Sequence, residues 1–130
     1  PKFFERASIK IPAHLPEIYA DPISIRQVFT NILTNSIKFT QHLEKPLIEL
    51  SHQEKEDEVV LSVIDNGIGV TQDQLKNIFD LFYTQSPSKQ GNGIGLTIVK
   101  KIVEKHGGEV EACSQGLNKG LKLTIHLPKT

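Results

Sequence analysis

One long amphipathic segment constrains the fold of this chain more than any other feature. Asp21 followed by Pro22 is a helix start signal, because aspartate caps free N–H groups and proline suits the first helical position. Helical spacing of apolar residues then continues to about Phe39. The stripe consists of Ile25, Val28, Phe29, Ile32, Leu33 and Ile37. A stripe this wide must be covered by a second layer of structure.

The rest of the chain supplies that layer. Strands are predicted at residues 7–11, 47–52, 59–64, about 109–114 and about 121–127. The strand at 59–64 is apolar nearly throughout, which is typical of a central strand covered on both faces. Further helices are predicted from Thr71 to about Ile78 and from Ile94 to the stop at Gly107-Gly108, with a loop at 83–92. These elements predict an α/β two-layer sandwich, with a mixed sheet of about five strands and three main helices on one face.

Composition excludes several classes of function. The chain has 130 residues, with 15 basic and 15 acidic side chains, so the net charge is zero when the histidines are neutral. A dedicated nucleic-acid binder usually has a basic surplus, so we expect no nucleic-acid partner. Cys113 is the single cysteine, which excludes an intrachain disulfide and a cysteine zinc cluster. No apolar run is long enough to span a bilayer, so we expect no direct membrane contact. The length of the chain predicts a single domain.

Two glycine clusters are candidates for a ligand site. The first, Asp65-Asn66-Gly67-Ile68-Gly69, follows the apolar strand, and the second, Gly91-Asn92-Gly93-Ile94-Gly95, opens the next helix. Glycines this dense allow the backbone to approach a ligand closely. At about 100° per residue, a third group shares one sector of the long helix, opposite its apolar stripe. That group is Asn31, Asn35 and Lys38. Taken alone, this sector fits a solvated surface as well as it fits a ligand site.

Together these residues have the chemistry of a magnesium–nucleotide site. An asparagine carbonyl is a hard oxygen ligand suited to Mg²⁺, and Lys38 could neutralise phosphate charge. Asp65 could accept a hydrogen bond from a purine amine, while Gly67 and Gly69 let the backbone pass beside the base. The second cluster opens a helix whose N-terminal amides suit a polyphosphate. The P-loop and Rossmann motifs are both absent.

Four linked motifs resemble those of sensor histidine kinases, in the same order and spacing over nearly the whole chain. The run from Asp21 to Thr40 is similar to the N-box, and Asp65-Asn66-Gly67-Ile68-Gly69 is similar to the first glycine box. Further along the chain, Phe79-Asp80-Leu81-Phe82 is similar to the F-box. The second glycine box is similar to Gly91-Asn92-Gly93-Ile94-Gly95-Leu96. His106-Gly107-Gly108 and Leu127-Pro128 also fit. The resemblance implies the Bergerat-type ATP-binding fold shared by histidine kinases, gyrase, Hsp90-type chaperones and mismatch-repair ATPases.

The resemblance also implies roles for individual residues. Asn35 would ligate Mg²⁺, with Asn31 assisting around metal and phosphate, and Lys38 would contact phosphate; these three form the catalytic set. Asp65 would hold the adenine amine. Residues 83–92 would form an ATP lid, in which Lys89 is either a cation for the γ-phosphate or a solvated surface lysine. The implied ATP contacts are Asn31, Asn35, Lys38, Phe39, Asp65, Gly67, Ile68, Gly69, Phe82, Lys89, Gly91, Gly93, Ile94, Gly95 and Leu96.

Position 31 separates members of this superfamily. The ATP-hydrolysing relatives and the anti-sigma-factor serine kinases usually have a glutamate there as general base. The amide of Asn31 cannot accept a proton, whereas a histidine acceptor needs little activation. We therefore expect transfer of the γ-phosphate of Mg-ATP to a histidine in two-component signalling. An ATP-dependent regulatory module without transfer and an anti-sigma-factor-type serine kinase remain as alternatives.

The acceptor histidine of the family is not recognised in this chain, since its five histidines fit structural roles. They are His14, His42, His52, His106 and His126. We therefore expect residues 1–130 to be a single catalytic domain, monomeric in isolation, with the dimerisation and phosphoacceptor domain outside it. The expected partners are that domain, in the same or a partner protein, and a response regulator receiver domain. The expected location is cytoplasmic, within a parent sensor that could be membrane-anchored.

Two positions depart from the family's pattern. After Gly120 the family often places serine or threonine, which in several relatives helps to hydrogen-bond the adenine. Leu121 stands here instead, so we expect a water-mediated adenine contact to be lost and nucleotide affinity to be weaker. Ser36 replaces the usual alanine beside Asn35, and little effect is expected from it.

Overall fold

A mixed five-stranded sheet organises the fold. The computed structural model describes residues 2–80 and 95–129. Its strands are β1 (Ser8–Lys10), β2 (Leu47–Glu54), β3 (Glu58–Asp65), β4 (Glu109–Cys113) and β5 (Leu121–Pro128). The order across the sheet is β1-β2-β3-β5-β4, with β1 parallel to β2 and the other pairs antiparallel. The predicted mixed sheet is confirmed, and β3 lies at its centre.

Helices complete the sandwich. They are α1 (Phe3–Arg6), α2 (Pro22–Thr40), α3 (Gln72–Leu75) and α4 (Gly95–Lys105). The start of α2 is as predicted, since the Asp21 carboxylate accepts a hydrogen bond of 2.9 Å from the Ser24 backbone N–H. This bond holds the pKa of Asp21 below its usual value. The two longer helices, α2 and α4, pack beside each other and against the sheet.

The core lies between these two helices and one face of the sheet. Strand register aligns Val59, Leu61 and Val63 of β3 with alternate residues of β5, and all of them are buried. The opposite face is mostly polar outside β3, and Ser62 Oγ of β3 lies 3.2 Å from Thr124 Oγ1 of β5. The prediction that this strand is covered on both faces is wrong. Antiparallel sheets can leave one face solvated, and the apolar residues of β3 on that face are only half-buried.

The buried side of α2 is rotated from the predicted stripe. Its buried residues are Val28, Ile32, Ser36, Phe39 and Thr40, whereas Leu33 is 36% exposed. The prediction that Asn31, Asn35 and Lys38 lie opposite the buried side is also wrong. All three are half-buried and border it. The physical reason is that α2 is covered from two directions, by the sheet and by α4.

Two short elements differ from the prediction. Helix α1 was not expected, and it is held by Arg6, whose guanidinium donates to the carbonyls of Gln41 at 2.8 Å and Leu43 at 3.3 Å. Helix α3 has the predicted capping box at its start but is a single turn rather than extending to Ile78. After it, i+3 hydrogen bonds form tight turns as far as Asp80. The predicted loop at 83–92 and helix start at Ile94 lie outside the described residues.

Candidate functional site

The carboxylate of Asp65 is buried at the end of β3. Asp65 is 6% exposed, because it points to the inner face of the sheet between Ile48 of β2 and Leu121 of β5. Its Oδ1 accepts a 2.8 Å hydrogen bond from the Gly67 backbone N–H. The Ser36 hydroxyl and the Leu121 backbone also lower the pKa of this carboxyl group. A carboxylate has about four acceptor positions, so acceptor capacity remains beside the Gly67 bond for a donor on a ligand.

Opposing effects act on the pKa of Asp65. Burial raises the pKa, because removal from water disfavours the charged carboxylate. The hydrogen bonds from Gly67, Ser36 and Leu121 lower it, because they favour the charged form. Burial is the larger effect, so the pKa lies above the usual aspartate value. An acidic group in such a setting is a candidate for function rather than for stability alone.

The glycines of the first cluster are required by close packing. A Cβ on Gly67 would lie 2.4 Å from the carbonyl oxygen of Phe39, which also accepts from the Ile68 N–H at 3.1 Å. Gly69 has a φ of +64°, and a Cβ there would lie 2.2 Å from the Gly116 carbonyl oxygen. The cluster is therefore held between the end of α2 and the loop before β5. Its proximity to a nucleobase stays a prediction.

A buried serine, which the sequence analysis missed, fixes the loop before β5. Ser114 is 7% exposed, and its hydroxyl donates to the Gly120 carbonyl at 2.7 Å. The same oxygen accepts from the Val70 N–H at 3.2 Å. Backbone bonds from Asn118 N–H to the Ile68 carbonyl (2.7 Å) and from Gly120 N–H to the Gly67 carbonyl (3.1 Å) complete the contact. The short polar residue directly after β4 was the available signal.

The polar sector of α2 faces the beginning of α4. Asn31 Nδ2 donates to the Gly95 carbonyl at 3.2 Å, so the N-box and the first residue of α4 are in direct contact. Partial burial lowers the pKa of Lys38, whose Nζ lies 5.2 Å from the Phe39 ring centroid. Asn35 is half-buried between them along the helix. Helix α2 thus contacts the first described residue of α4 through Asn31, and Asn35 and Lys38 follow Asn31 on the same side of α2.

Two contacts in the structure bring predicted site residues together. One contact joins Asn31 to Gly95, and the other joins the end of α2 to the first glycine cluster. Leu96 packs its side chain into the core, with 9% exposed. Part of the prediction lies outside the described residues: Phe82, Lys89, Gly91, Gly93, Ile94 and the proposed lid at 83–92.

Ser36 is the second residue whose role sequence analysis missed. It is 2% exposed and lowers the pKa of Asp65, although the sequence predicted little effect from it. The signal lay in its spacing, because Ser36 follows Val28 and Ile32 at intervals of four residues. A serine on a buried stripe needs a hydrogen-bond partner.

The donor chemistry around α2 fits Mg²⁺ rather than a transition metal. Within residues 2–80 and 95–129, no three His, Cys, Asp or Glu side chains are grouped so as to hold a metal ion. Mg²⁺ needs no such cage, because it keeps water and phosphate oxygens and takes few protein ligands. The amide oxygens of Asn31 and Asn35 are hard ligands of that kind. In the same part of the chain, no helix combines the length and apolarity needed to cross a membrane.

The sheet, the helices and the buried carboxylate together form an α/β sandwich with a polar site beside α2. Residues 20–130 match the family described as "Histidine kinase-, DNA gyrase B-, and HSP90-like ATPase". The chain belongs to this family.

Curated relatives narrow the resemblance to sensor proteins. The sensor protein KdpD of Clostridium acetobutylicum is 39% identical over 134 residues, covering 98% of this chain and 15% of the relative. The methanogenesis regulatory histidine kinase FilI of Methanothrix harundinacea is 40% identical over 95 residues, covering 73% of this chain and 11% of the relative. The chain therefore spans only a small part of the length of these relatives.

Solved structures agree with this assignment. The catalytic domain of histidine kinase ThkA is similar with a TM-score of 0.78 at 29% identity, covering 95% of this chain and 78% of that chain. Full-length ShkA, solved in complex with AMPPNP, gives 0.77 at 28% identity and covers 96% and 26%. The mycobacterial sensor histidine kinase MprB gives 0.84 at 22% identity, covering 95% and 84%, and shows the shared fold alone. The predicted resemblance to histidine kinase catalytic domains is confirmed.

Proposed function

We propose that this chain binds Mg-ATP and transfers the γ-phosphate to a histidine on a dimerisation domain of the same or a partner protein. The observation that carries the proposal is the buried Asp65 carboxylate, which accepts a hydrogen bond from the Gly67 N–H within a histidine kinase-like fold. Burial disfavours the charged form of this carboxylate, so its charge does not stabilise the fold and is a candidate for ligand binding. Its remaining acceptor position suits the exocyclic amine of adenine.

The residues of α2 act on the phosphates. Asn31 and Asn35 would hold the magnesium ion through their amide oxygens, and the ion neutralises phosphate charge when bound. Lys38 is half-buried, so its ammonium group attracts phosphate more strongly than a fully solvated one would. Gly95 begins α4, whose N-terminal dipole favours an anion. Together they orient the γ-phosphate for attack by the imidazole nitrogen, which forms a P–N bond as the bond to ADP breaks.

Asn31 favours histidine over serine or water as acceptor. Its amide donates to the Gly95 carbonyl, and an amide has no basic nitrogen with which to take a proton from a hydroxyl group. Neutral imidazole attacks without such help. The serine-kinase alternative is therefore disfavoured, whereas a regulatory module that binds ATP without transfer would use the same site.

We further propose that residues 1–130 form one catalytic domain of a longer cytoplasmic or membrane-anchored sensor. The relatives are several times longer than the matched segment, which supports this arrangement. In such a protein the phosphoacceptor histidine belongs to a separate dimerisation domain, and a response regulator receives the phosphate from it. The parent protein's dimerisation would then bring acceptor and catalytic domain together.

Nucleotide binding tests the site. Calorimetric titration with Mg-ATP is expected to show binding that Asp65→Asn weakens by about 1–3 kcal/mol, because the carboxylate acceptor is replaced in part by a donor amide. Asp73→Asn is the matched control, since Asp73 is exposed on α3. Equal ATP affinity in the wild type and Asp65→Asn would contradict the adenine assignment.

A further inference from the structure

The hydroxyl group of Ser114 uses its full hydrogen-bonding capacity within the fold. A serine oxygen can donate one hydrogen bond and accept two, and Ser114 is only 7% exposed. It donates to the Gly120 carbonyl at 2.7 Å and accepts from the backbone N–H groups of Val70 and Gly116, each at 3.2 Å. The Gly116 carbonyl is also 3.2 Å away, so the single hydroxyl hydrogen favours the nearer Gly120. One side chain thus joins the end of β4 to the end of the first glycine cluster and to the residue before β5.

Gly120 connects this hydroxyl to the Asp65 carboxylate. The Gly120 N–H donates to the Gly67 carbonyl at 3.1 Å, and the Gly67 N–H donates to Asp65 Oδ1 at 2.8 Å. Gly120 also packs directly on the end of β3, because a Cβ there would lie 2.1 Å from the Asp65 carbonyl oxygen. A chain of three hydrogen bonds therefore runs from Ser114 through Gly120 and Gly67 to the carboxylate.

The backbone groups in this chain are shielded from solvent. Val70, Gly67 and Gly120 are all buried, so a backbone group that loses its partner here cannot turn to bulk water. Removal of the Ser114 hydroxyl leaves the Gly120 carbonyl and the Val70 N–H without this partner. Relief requires the loop before β5 to move, and that movement shifts Gly67, whose N–H holds the carboxylate.

We propose that Ser114 is a positioning residue, which acts through Gly120 and Gly67 to aim the Asp65 carboxylate at the exocyclic amine of a purine, and so strengthens the preference for adenine nucleotides. This inference rests on the proposed function, because it needs a purine in the site. Ser114 acts through a relay of backbone groups that ends on Asp65. Its effect on selectivity should therefore disappear when the carboxylate is replaced.

The first test needs no nucleotide. Ser114→Ala is compared with Ser62→Ala, which removes a hydroxyl of similar burial (6% exposed) from the outer face of the sheet. Amide hydrogen exchange followed by NMR should be on the order of tenfold faster at Gly67 and Gly120 in Ser114→Ala, beyond any change that the core amides share. Ser62→Ala should show no such local change. Wild-type exchange at both glycines in Ser114→Ala would overturn the proposal.

The second test measures selectivity. ATP and inosine triphosphate differ at the purine amine, so the ratio of their affinities reports on the carboxylate as an acceptor. Ser114→Ala should bind ATP on the order of tenfold more weakly, with little change for inosine triphosphate, whereas Ser62→Ala should keep the wild-type ratio. Ser114→Cys keeps a side chain of similar shape with a weak donor, so its ratio should lie between the two. The cysteine variant replaces the alanine variant if circular dichroism shows that the latter does not fold.

The third test measures coupling between Ser114 and Asp65. In the Asp65→Asn background, adding Ser114→Ala should weaken ATP binding by less than about twofold, since the carboxylate that Ser114 positions is already gone. An equal loss in both backgrounds would show that Ser114 acts independently of the carboxylate and would overturn the proposal.

The outcomes separate this proposal from the proposed function. Equal weakening of ATP and inosine triphosphate by Ser114→Ala, in a domain that binds Mg-ATP, would indicate a structural role and leave the proposed function standing. A wild-type domain that binds neither nucleotide would overturn the proposed function and the selectivity role with it. The exchange measurement would still decide whether Ser114 holds the Gly67 N–H in place.

Discussion

Replacing Gly67 by alanine perturbs the site at its tightest point. The new Cβ would lie 2.4 Å from the Phe39 carbonyl oxygen and 3.0 Å from Asp65 Oδ1. The Phe39 oxygen is backbone at the end of α2, so it cannot rotate away. Relief requires the loop after β3 to move, which weakens the 3.1 Å bond from Ile68 N–H to Phe39 and the 2.8 Å bond from Gly67 N–H to Asp65.

The magnitude follows from these contacts. Overpacking typically costs about 1–3 kcal/mol, and each weakened hydrogen bond adds about 0.5–1.5 kcal/mol. We expect Gly67→Ala to lower the free energy of unfolding by about 2–6 kcal/mol. Gly95→Ala is the matched control, because a Cβ there meets no atom of residues 2–80 and 95–129 within 4 Å and Gly95 lies in a helix. That variant should be neutral or gain up to about 1 kcal/mol.

Urea unfolding followed by circular dichroism measures both variants. A lower midpoint with an unchanged slope is expected for Gly67→Ala, since the compactness of the two states is unaltered. A Gly67→Ala domain within 0.5 kcal/mol of the wild type, roughly the additivity error of such measurements, would refute the packing argument. A large loss in Gly95→Ala would refute it equally, because that position has room for a side chain.

Three further predictions concern charge, metal and helix contacts. Burial raises the folded-state pKa of Asp65 above the unfolded value of 3.8, so protonation of this carboxyl group favours the folded state. The wild type should therefore gain thermal stability relative to Asp65→Asn as the pH falls from about 7 toward about 4. A melting-temperature difference that stays constant over this range would contradict the prediction. Asn35→Ala should weaken ATP binding more with Mg²⁺ than with EDTA in calorimetric titrations, and equal losses would indicate a structural role only. His106→Phe should lower the free energy of unfolding in urea by about 1 kcal/mol, because His106 accepts a hydrogen bond from the Asp21 N–H at 3.1 Å and donates one to the Ile102 carbonyl at 2.8 Å. An unchanged unfolding midpoint would argue against this link between the start of α2 and the end of α4.

Local signals explain which parts of the fold were predictable from the sequence. The start of α2 depends on Asp21 and Pro22, whose effects act within one helix turn, and the structure places both as expected. The strands were predictable because the alternation of apolar residues reports directly on a one-sided core. The stretch from 59 to 64 misled, because Val60 and Ile64 are apolar although they lie half-buried on the outer face of the sheet.

Contacts between distant segments were not predictable. Helix α1 depends on Arg6 reaching carbonyls at 41 and 43, which no local pattern encodes. The backbone bonds from Gly120 to Gly67 and from Asn118 to Ile68 join segments far apart in the chain, although the burial of Ser36 could have been inferred from its spacing with Ile32. The candidate site was therefore predictable as a set of motifs, whereas the contacts that hold the first glycine cluster against Phe39 and Gly120 became visible only in three dimensions.

Transfer of labelled phosphate tests the central claim most directly. The parent protein, or this chain with its dimerisation domain supplied separately, is incubated with γ-labelled ATP and Mg²⁺. The account predicts an acid-labile, alkali-stable phosphohistidine on the dimerisation domain, and Asp65→Asn should reduce its rate at limiting ATP whereas Asp73→Asn should not. Binding of ATP without any phosphohistidine would contradict the account and favour a regulatory nucleotide-binding module.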